Sequence, residues 1–371
     1  MSEDERAKSY ATVLPDQTEE TLLRFVAANE LQQSEVIAWL DNTDLDVADD
    51  GVMRLLPTLY PKIRLMGLAH PETERIRGIY RHTLYRNRLI MHRGAQISAT
   101  LRQQGIPSLL LKGAALLASP GIDLGTRPMA DFDLLLSEET DLDTVERILC
   151  KSDLPGLDVR ARSQGFLCLS DKNGLEYDLQ YAPTPTRGTA GTIKIFWEKS
   201  HEVVYRNERF PVLCPEHFVF HTIVHGMKRN VVSPVRWIAD LLQFNDVCSD
   251  LDWKIVAQTA VSFRLQDPTI AALEYLFRSG FLGPEVLPAV QTMHNSTEYA
   301  FDRRLIRNVK LPPETETRTQ RLRRLFDEFS RQSVFEERRR TPIQFLQFLR
   351  KRTHGRPVLS GLKRFALDER D

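Results

Sequence analysis

The chain has 371 residues, with 50 Lys or Arg against 50 Asp or Glu, so bulk charge points to neither a nucleic-acid nor a membrane-surface partner. That length exceeds one ordinary core and predicts two or three packed units. The cysteines Cys150, Cys168, Cys214 and Cys248 form no Cys-x-x-Cys pair, which excludes a zinc ribbon or a disulfide framework and fits a reducing compartment.

Residues 1–18 read as a polar tail. Met1 to Glu20 is mostly acidic, without the apolar stretch of a targeting segment, and no later run reaches the roughly 20 apolar residues of a membrane helix. A cytoplasmic protein with no membrane partner is expected. Residues 19–105 read as helical: Leu22, Leu23 and Val26, then Val36, Ile37 and Leu40, recur at helical spacing, with Gly51 and Pro61 as breaks. From Pro71 to Leu101 the pattern predicts one long amphipathic helix with Ile76, Ile79, Tyr80, Leu84, Leu89, Ile90 and Ile97 as its buried stripe. Gly105 and Pro107 end it. Over 106–215 the period changes, and short apolar runs at Ser108 to Leu111, Asp131 to Leu136, Phe166 to Leu169 and Leu175 to Tyr181 predict strands. Over 216–371 helical periodicity returns, through His217 to Met227, Val235 to Val247, Trp253 to Phe263 and Thr269 to Phe277, and ends in an arginine-rich tail. The tail's arginines, from Arg318 to Arg364, alternate with apolar stripes such as Leu322, Leu325, Phe326 and Phe329. They read as the solvated faces of packed helices, with RNA or DNA binding as the lesser alternative.

The chemistry sits in the strand-rich region. In Asp131-Phe132-Asp133, side chains two apart on a strand share a face, so two carboxylates project together and repel unless a cation lies between them. A hard divalent ion such as magnesium meets that requirement and leaves positions open for phosphate. The strand Leu175 to Tyr181 presents a second acidic face through Glu176 and Asp178. If the two strands pair, three carboxylates converge, the minimum for a two-metal in-line displacement. Upstream, the strand Ser108 to Leu111 turns at Lys112 and Gly113 into a short helix, a place where backbone amides and a lysine can meet phosphate. Arg127 is a further candidate for neutralising phosphate, by its forked geometry. His221 and His225, one helical turn apart, lack the acid that would complete a zinc motif, and read as core or hydrogen-bonding residues. Arg236 and Asp240, four apart, read either as a helix ion pair or as the lining of a substrate cleft.

The order Lys112-Gly113-x-Ala115-Leu116, Arg127, Asp131-x-Asp133, Asp178, His225-Gly226 and Arg236-Trp237-Ile238-x-Asp240 resembles an uncharacterised bacterial nucleotidyltransferase family of the DNA polymerase β superfamily. The likeness covers about Ile106 to Gln243. It implies an α+β nucleotidyltransferase core with a mixed sheet, flanked by helical regions, and places the catalytic domain at 106–215. It also implies two magnesium ions, a nucleoside triphosphate substrate such as ATP, and transfer of a nucleotidyl group with release of pyrophosphate. By the resemblance Asp131, Asp133 and Asp178 are the catalytic metal ligands, and Gly113 opens the phosphate-binding helix. Lys112 and Arg127 are the other nucleotide contacts, and His225, Arg236 and Asp240 the candidates on the substrate side. The chain departs from the superfamily in following Gly113 with Ala114 and in a longer gap to Asp131. The acceptor is expected to be a small molecule, peptide or protein rather than a nucleic acid. A silent nucleotide-binding or regulatory module and an RNA-directed transferase are the alternatives.

Overall fold

The computed structural model describes residues 10, 13–151, 156–163, 165–184, 190–206, 208–227, 235–248, 250–296 and 344–345. The arginine-rich tail, most of the polar N-terminal tail and the segment 228–234 lie outside these residues. Among the described residues the chain forms seven strands and twelve α-helices, an α+β protein whose mixed sheet is flanked in sequence by helical regions.

Four helices come first: α1 (Gln17–Ala27), α2 (Gln33–Asp41), α3 (Asp50–Leu65) and α4 (Glu72–Gln103). A reciprocal cap starts α1, where the Glu19 amide donates to Asp16 at 2.8 Å and the Asp16 amide donates back to Glu19 at 3.0 Å. Gly51 and Pro61, expected as breaks, lie within α3, together with Pro57. Gly51 falls in the first turn, where no intrahelical acceptor is lost. Each interior proline costs about 3 kcal/mol. Full burial of Leu55, Leu56, Leu59 and Ile63, worth about 1.5–3 kcal/mol each, outweighs that.

Helix α4 confirms the long helix and corrects its stripe. Ile76, Ile90 and Ile97 are buried, whereas Leu84 is half-buried and Leu89 is 38% exposed. The buried line runs through Ile76, Thr83, Asn87, Ile90, Gly94, Ile97 and Leu101 in steps that keep one helical face, and Leu84 and Leu89 sit beside it. Gly94 lets α4 lie directly on the sheet, because a Cβ there would come 2.3 Å from the Phe132 ring.

The sheet order is β3-β4-β5-β2-β1-β7-β6. In its centre β2 (Asp131–Leu136) pairs antiparallel with β1 (Ser108–Leu110) and parallel with β5 (Glu176–Gln180). One hairpin, β3 (Leu157–Ser163) with β4 (Phe166–Asp171), extends the sheet beyond β5. The other, β6 (His201–Tyr205) with β7 (Glu208–Val212), joins β1. Strands β3 and β6 escape the sequence pattern because most of their side chains are exposed, as edge positions allow, and β7, five residues between β1 and β6, buries only Phe210 and Val212. Two helices, α6 (Leu142–Lys151) and α7 (Ala190–Glu198), were likewise not anticipated. The others are α5 (Lys112–Ala118), α8 (Pro215–Gly226), α9 (Arg236–Val247), α10 (Trp253–Ser262), α11 (Gln266–Arg278) and α12 (Leu287–His294). One hydrophobic core runs through all three regions, and the Tyr275 hydroxyl of α11 reaches Glu20 of α1 at 3.3 Å. Among the described residues no helix is long and apolar enough to cross a membrane.

Candidate active site

The parallel register of β2 and β5 sets Asp133 beside Asp178 and Asp131 beside Glu176, so all four acids share one face. Carboxylate oxygens of Asp131, Asp133 and Asp178 lie within 4.8 Å of one another, the one such cluster of potential metal ligands among the described residues. Asp133 is only 2% exposed, while Asp131 and Asp178 are partly open. Glu176 turns outward to Arg160, with Nε to Oε1 at 2.5 Å, and takes no part in the cluster.

Lys112 completes this group. The Leu111 amide donates to the Asp133 carbonyl at 3.1 Å and fixes the end of β1. The next residue, Lys112, adopts φ +48°, a left-handed conformation that lysine rarely takes, and its ammonium bonds the Asp133 carboxylate.

A second cluster lies beside the first. Arg127 is buried, and its guanidinium forks onto Asp240, with Nε to Oδ1 at 2.8 Å and Nη2 to Oδ2 at 3.0 Å. Gly113 faces it: a Cβ would stand 1.9 Å from Arg127 Nη1 and 2.9 Å from Met129 Sδ. Arg127 thus lies over Gly113, with its guanidinium on the Asp240 carboxylate. The alternative of an Arg236 to Asp240 helix pair gives way to this pair across α9. Arg236 instead donates through Nη1 to the Pro128 carbonyl at 2.8 Å.

The long link from α5 to β2 is held carbonyl by carbonyl. Thr58 donates to Thr126 O at 2.7 Å, Asn87 to Arg127 O at 2.6 Å, Arg236 to Pro128 O at 2.8 Å and Arg86 to Met129 O at 3.3 Å. Asn87 also reaches Leu124 O at 2.7 Å. Four successive carbonyls are thus gripped from α3, α4 and α9 immediately before the first aspartate. Such a tether supplies the rigidity a short turn would otherwise give. His225 is placed with His221, their rings near-parallel at 6.0 Å.

A protein-family model described as an uncharacterised nucleotidyltransferase matches residues 51–278. The chain belongs to that family. The match runs from the start of α3 to the end of α11 and includes both clusters. No curated protein matches the chain.

The electrostatics of the cluster follow from burial. Burial lifts the Asp133 carboxyl to about 6, against the downward pull of Lys112 and with a further push from Asp131 and Asp178. Burial likewise raises Asp178. Cys168, paired with Asp178 in the β4 to β5 register, moderates that rise through its thiol, and is itself pushed up to about 12 by burial and by Asp178. Burial depresses the Lys112 ammonium, yet Asp133, Asp131 and Asp178 outweigh it and hold it above the ordinary lysine range. Burial and Arg127 lower Arg236 to about 10, which leaves it charged at neutral pH. Three carboxylates with partly open access are the donor set of a hard divalent cation, so the residues present fit an ion of that class.

Sequence reasoning had singled out neither Asn87 nor Cys168. Asn87 was legible as a polar residue on the stripe of α4. Cys168 becomes relevant only through strand register.

Proposed function

We propose that this protein is a magnesium-dependent transferase that moves a nucleotidyl group from a nucleoside triphosphate to an acceptor and releases pyrophosphate. The convergence of Asp131, Asp133 and Asp178 from two paired strands carries this reading, and family membership supports it. These three side chains would hold magnesium, and the chemistry it would supply there is activation of the acceptor oxygen and stabilisation of the leaving pyrophosphate. The two-ion form is part of the proposal. Asp133 lies deepest and sets the position of the cluster, while Asp131 and Asp178 line its open side. Lys112 is the cation nearest the cluster and the residue proposed to meet the triphosphate. Arg127, Arg236, Asp240 and Asn87 act as positioning residues that fix the strand carrying Asp131. Glu176, tied to Arg160, is assigned no role in catalysis. The acceptor is proposed to be a small molecule, peptide or protein.

A nucleotide-binding module without turnover is favoured by one observation: the Lys112 ammonium already sits on a carboxylate that the metal requires. Magnesium-dependent release of pyrophosphate from each nucleoside triphosphate, with candidate acceptors added, separates the two readings. Turnover that vanishes in both Asp131→Asn and Asp133→Asn supports the transferase. Triphosphate binding without any pyrophosphate release supports the silent module.

A further inference from the structure

The cluster that has to receive a divalent ion under the proposed function is bonded to a cation of the chain itself. Lys112 Nζ contacts Asp133 Oδ1 directly, and Asp131 and Asp178 lie within reach of the same charge. The other nearby cations are engaged elsewhere, Arg127 by Asp240 and Arg236 by the Pro128 carbonyl. Lys112 is therefore the cation that neutralises the buried Asp133. The backbone is bent to this purpose. Residue 111 is pinned to Asp133, and residue 112 takes the left-handed conformation at φ +48°, which disfavours every side chain and is unstrained for glycine alone. A side chain held where its backbone resists it marks a place determined by its surroundings, here by an almost wholly buried carboxylate.

We infer that Lys112 is an exchangeable resident cation: its ammonium holds the cluster together in the metal-free protein and leaves Asp133 when a divalent ion binds. Metal loading and release of the lysine are then one event, and the freed ammonium becomes available to a phosphate. This rests on reading the three aspartates as metal ligands. It goes further in making the lysine a competitor of the metal rather than a bystander.

The test uses the full chain and Mn2+ alone, without nucleotide, followed by electron paramagnetic resonance of the free ion. Lys112→Met removes the competing charge and keeps the strained backbone. Lys112→Gly removes the charge and relieves the backbone. Both variants are expected to bind Mn2+ at least about ten-fold more tightly than the native chain, the scale of losing one charge-assisted hydrogen bond from the opposing side. Their metal-free forms are expected to melt lower and to recover on adding Mn2+. Unchanged or weaker Mn2+ affinity in Lys112→Met overturns the inference, as does tightening confined to Lys112→Gly, which assigns the effect to the backbone. Adding Asp131→Asn to Lys112→Met distinguishes the underlying reading. Loss of the tight site keeps the aspartates as ligands, and its persistence removes the ligand assignment together with the exchange built on it.

Discussion

Removing the Asp240 carboxylate tests whether the buried pair with Arg127 holds the region before β2. In Asp240→Ala the guanidinium keeps its charge, remains 5% exposed and loses both forked contacts, at 2.8 and 3.0 Å. Breaking a buried pair from one side costs about 3–5 kcal/mol, because the surviving charge is left without compensation. An exposed pair such as Lys194 with Glu198 is worth about 0–1 kcal/mol, so Glu198→Ala serves as a control. Arg127 also packs against Gly113, so its displacement reaches the turn that carries Lys112. Urea unfolding of Asp240→Ala should show a lower midpoint with an unchanged slope. The double variant Arg127→Met, Asp240→Leu replaces the pair with apolar volume and should recover most of the loss. A cost below about 1 kcal/mol for Asp240→Ala, or a double variant as weak as the sum of the singles, would refute the assignment of this pair as the clamp.

His217 supplies a pH prediction: burial and Lys199 lower its pKa from 6.5 to about 4, so the folded state keeps it neutral where the unfolded chain binds a proton. Its contribution is present above about pH 6.5 and is lost as pH falls toward 4, to a total of about 3 kcal/mol. Stability of His217→Phe followed by urea titration across that range should lose this slope, and an unchanged slope would be against it. Gly113→Ala should destabilise by about 1–3 kcal/mol in thermal or urea unfolding through overpacking against Arg127. Helix propensity alone would favour alanine by about 1 kcal/mol, so a gain in stability would show that Arg127 yields easily. Asp178→Ala should abolish pyrophosphate release while Glu176→Ala stays within a few-fold of the native chain, and the reverse order would move the site along β5. Asn87→Leu leaves two carbonyls without their donor, at about 1–3 kcal/mol each, and should lower both stability and Mn2+ affinity. Loss of stability with Mn2+ affinity intact would show that the tether does not position Asp131.

Strand β2 was legible as a short apolar run, Leu134 to Leu136, behind two aspartates, and β5 because its apolar residues alternate with polar ones as a half-buried strand requires. The edge hairpins were not, since β3 and β6 expose most of their side chains and take their place by pairing with neighbours rather than by burial. The shared face of Asp131 and Asp133 follows from a period of two within one strand. The entry of Asp178 depends on a parallel register between strands 45 residues apart, which no local pattern encodes. Helix α4 shows the same division. Its length was readable from periodicity, but the choice of Asn87 over Leu84 and Leu89 for the interior depends on the carbonyls that the link before β2 presents to it.

Residue chemistry by itself determined that two carboxylates meet on a strand, that a lysine and a glycine mark a strand-to-helix turn, and that helical regions flank a strand-rich one. Tertiary structure alone decided the partners of each charge. Arg127 became the clamp on Asp240, Lys112 the counter-cation of Asp133, and Glu176 the outward partner of Arg160. The physical reason is that a strand's facing is set by the backbone, residue by residue, whereas a buried charge is satisfied by whichever opposite charge the packing brings within a few ångströms.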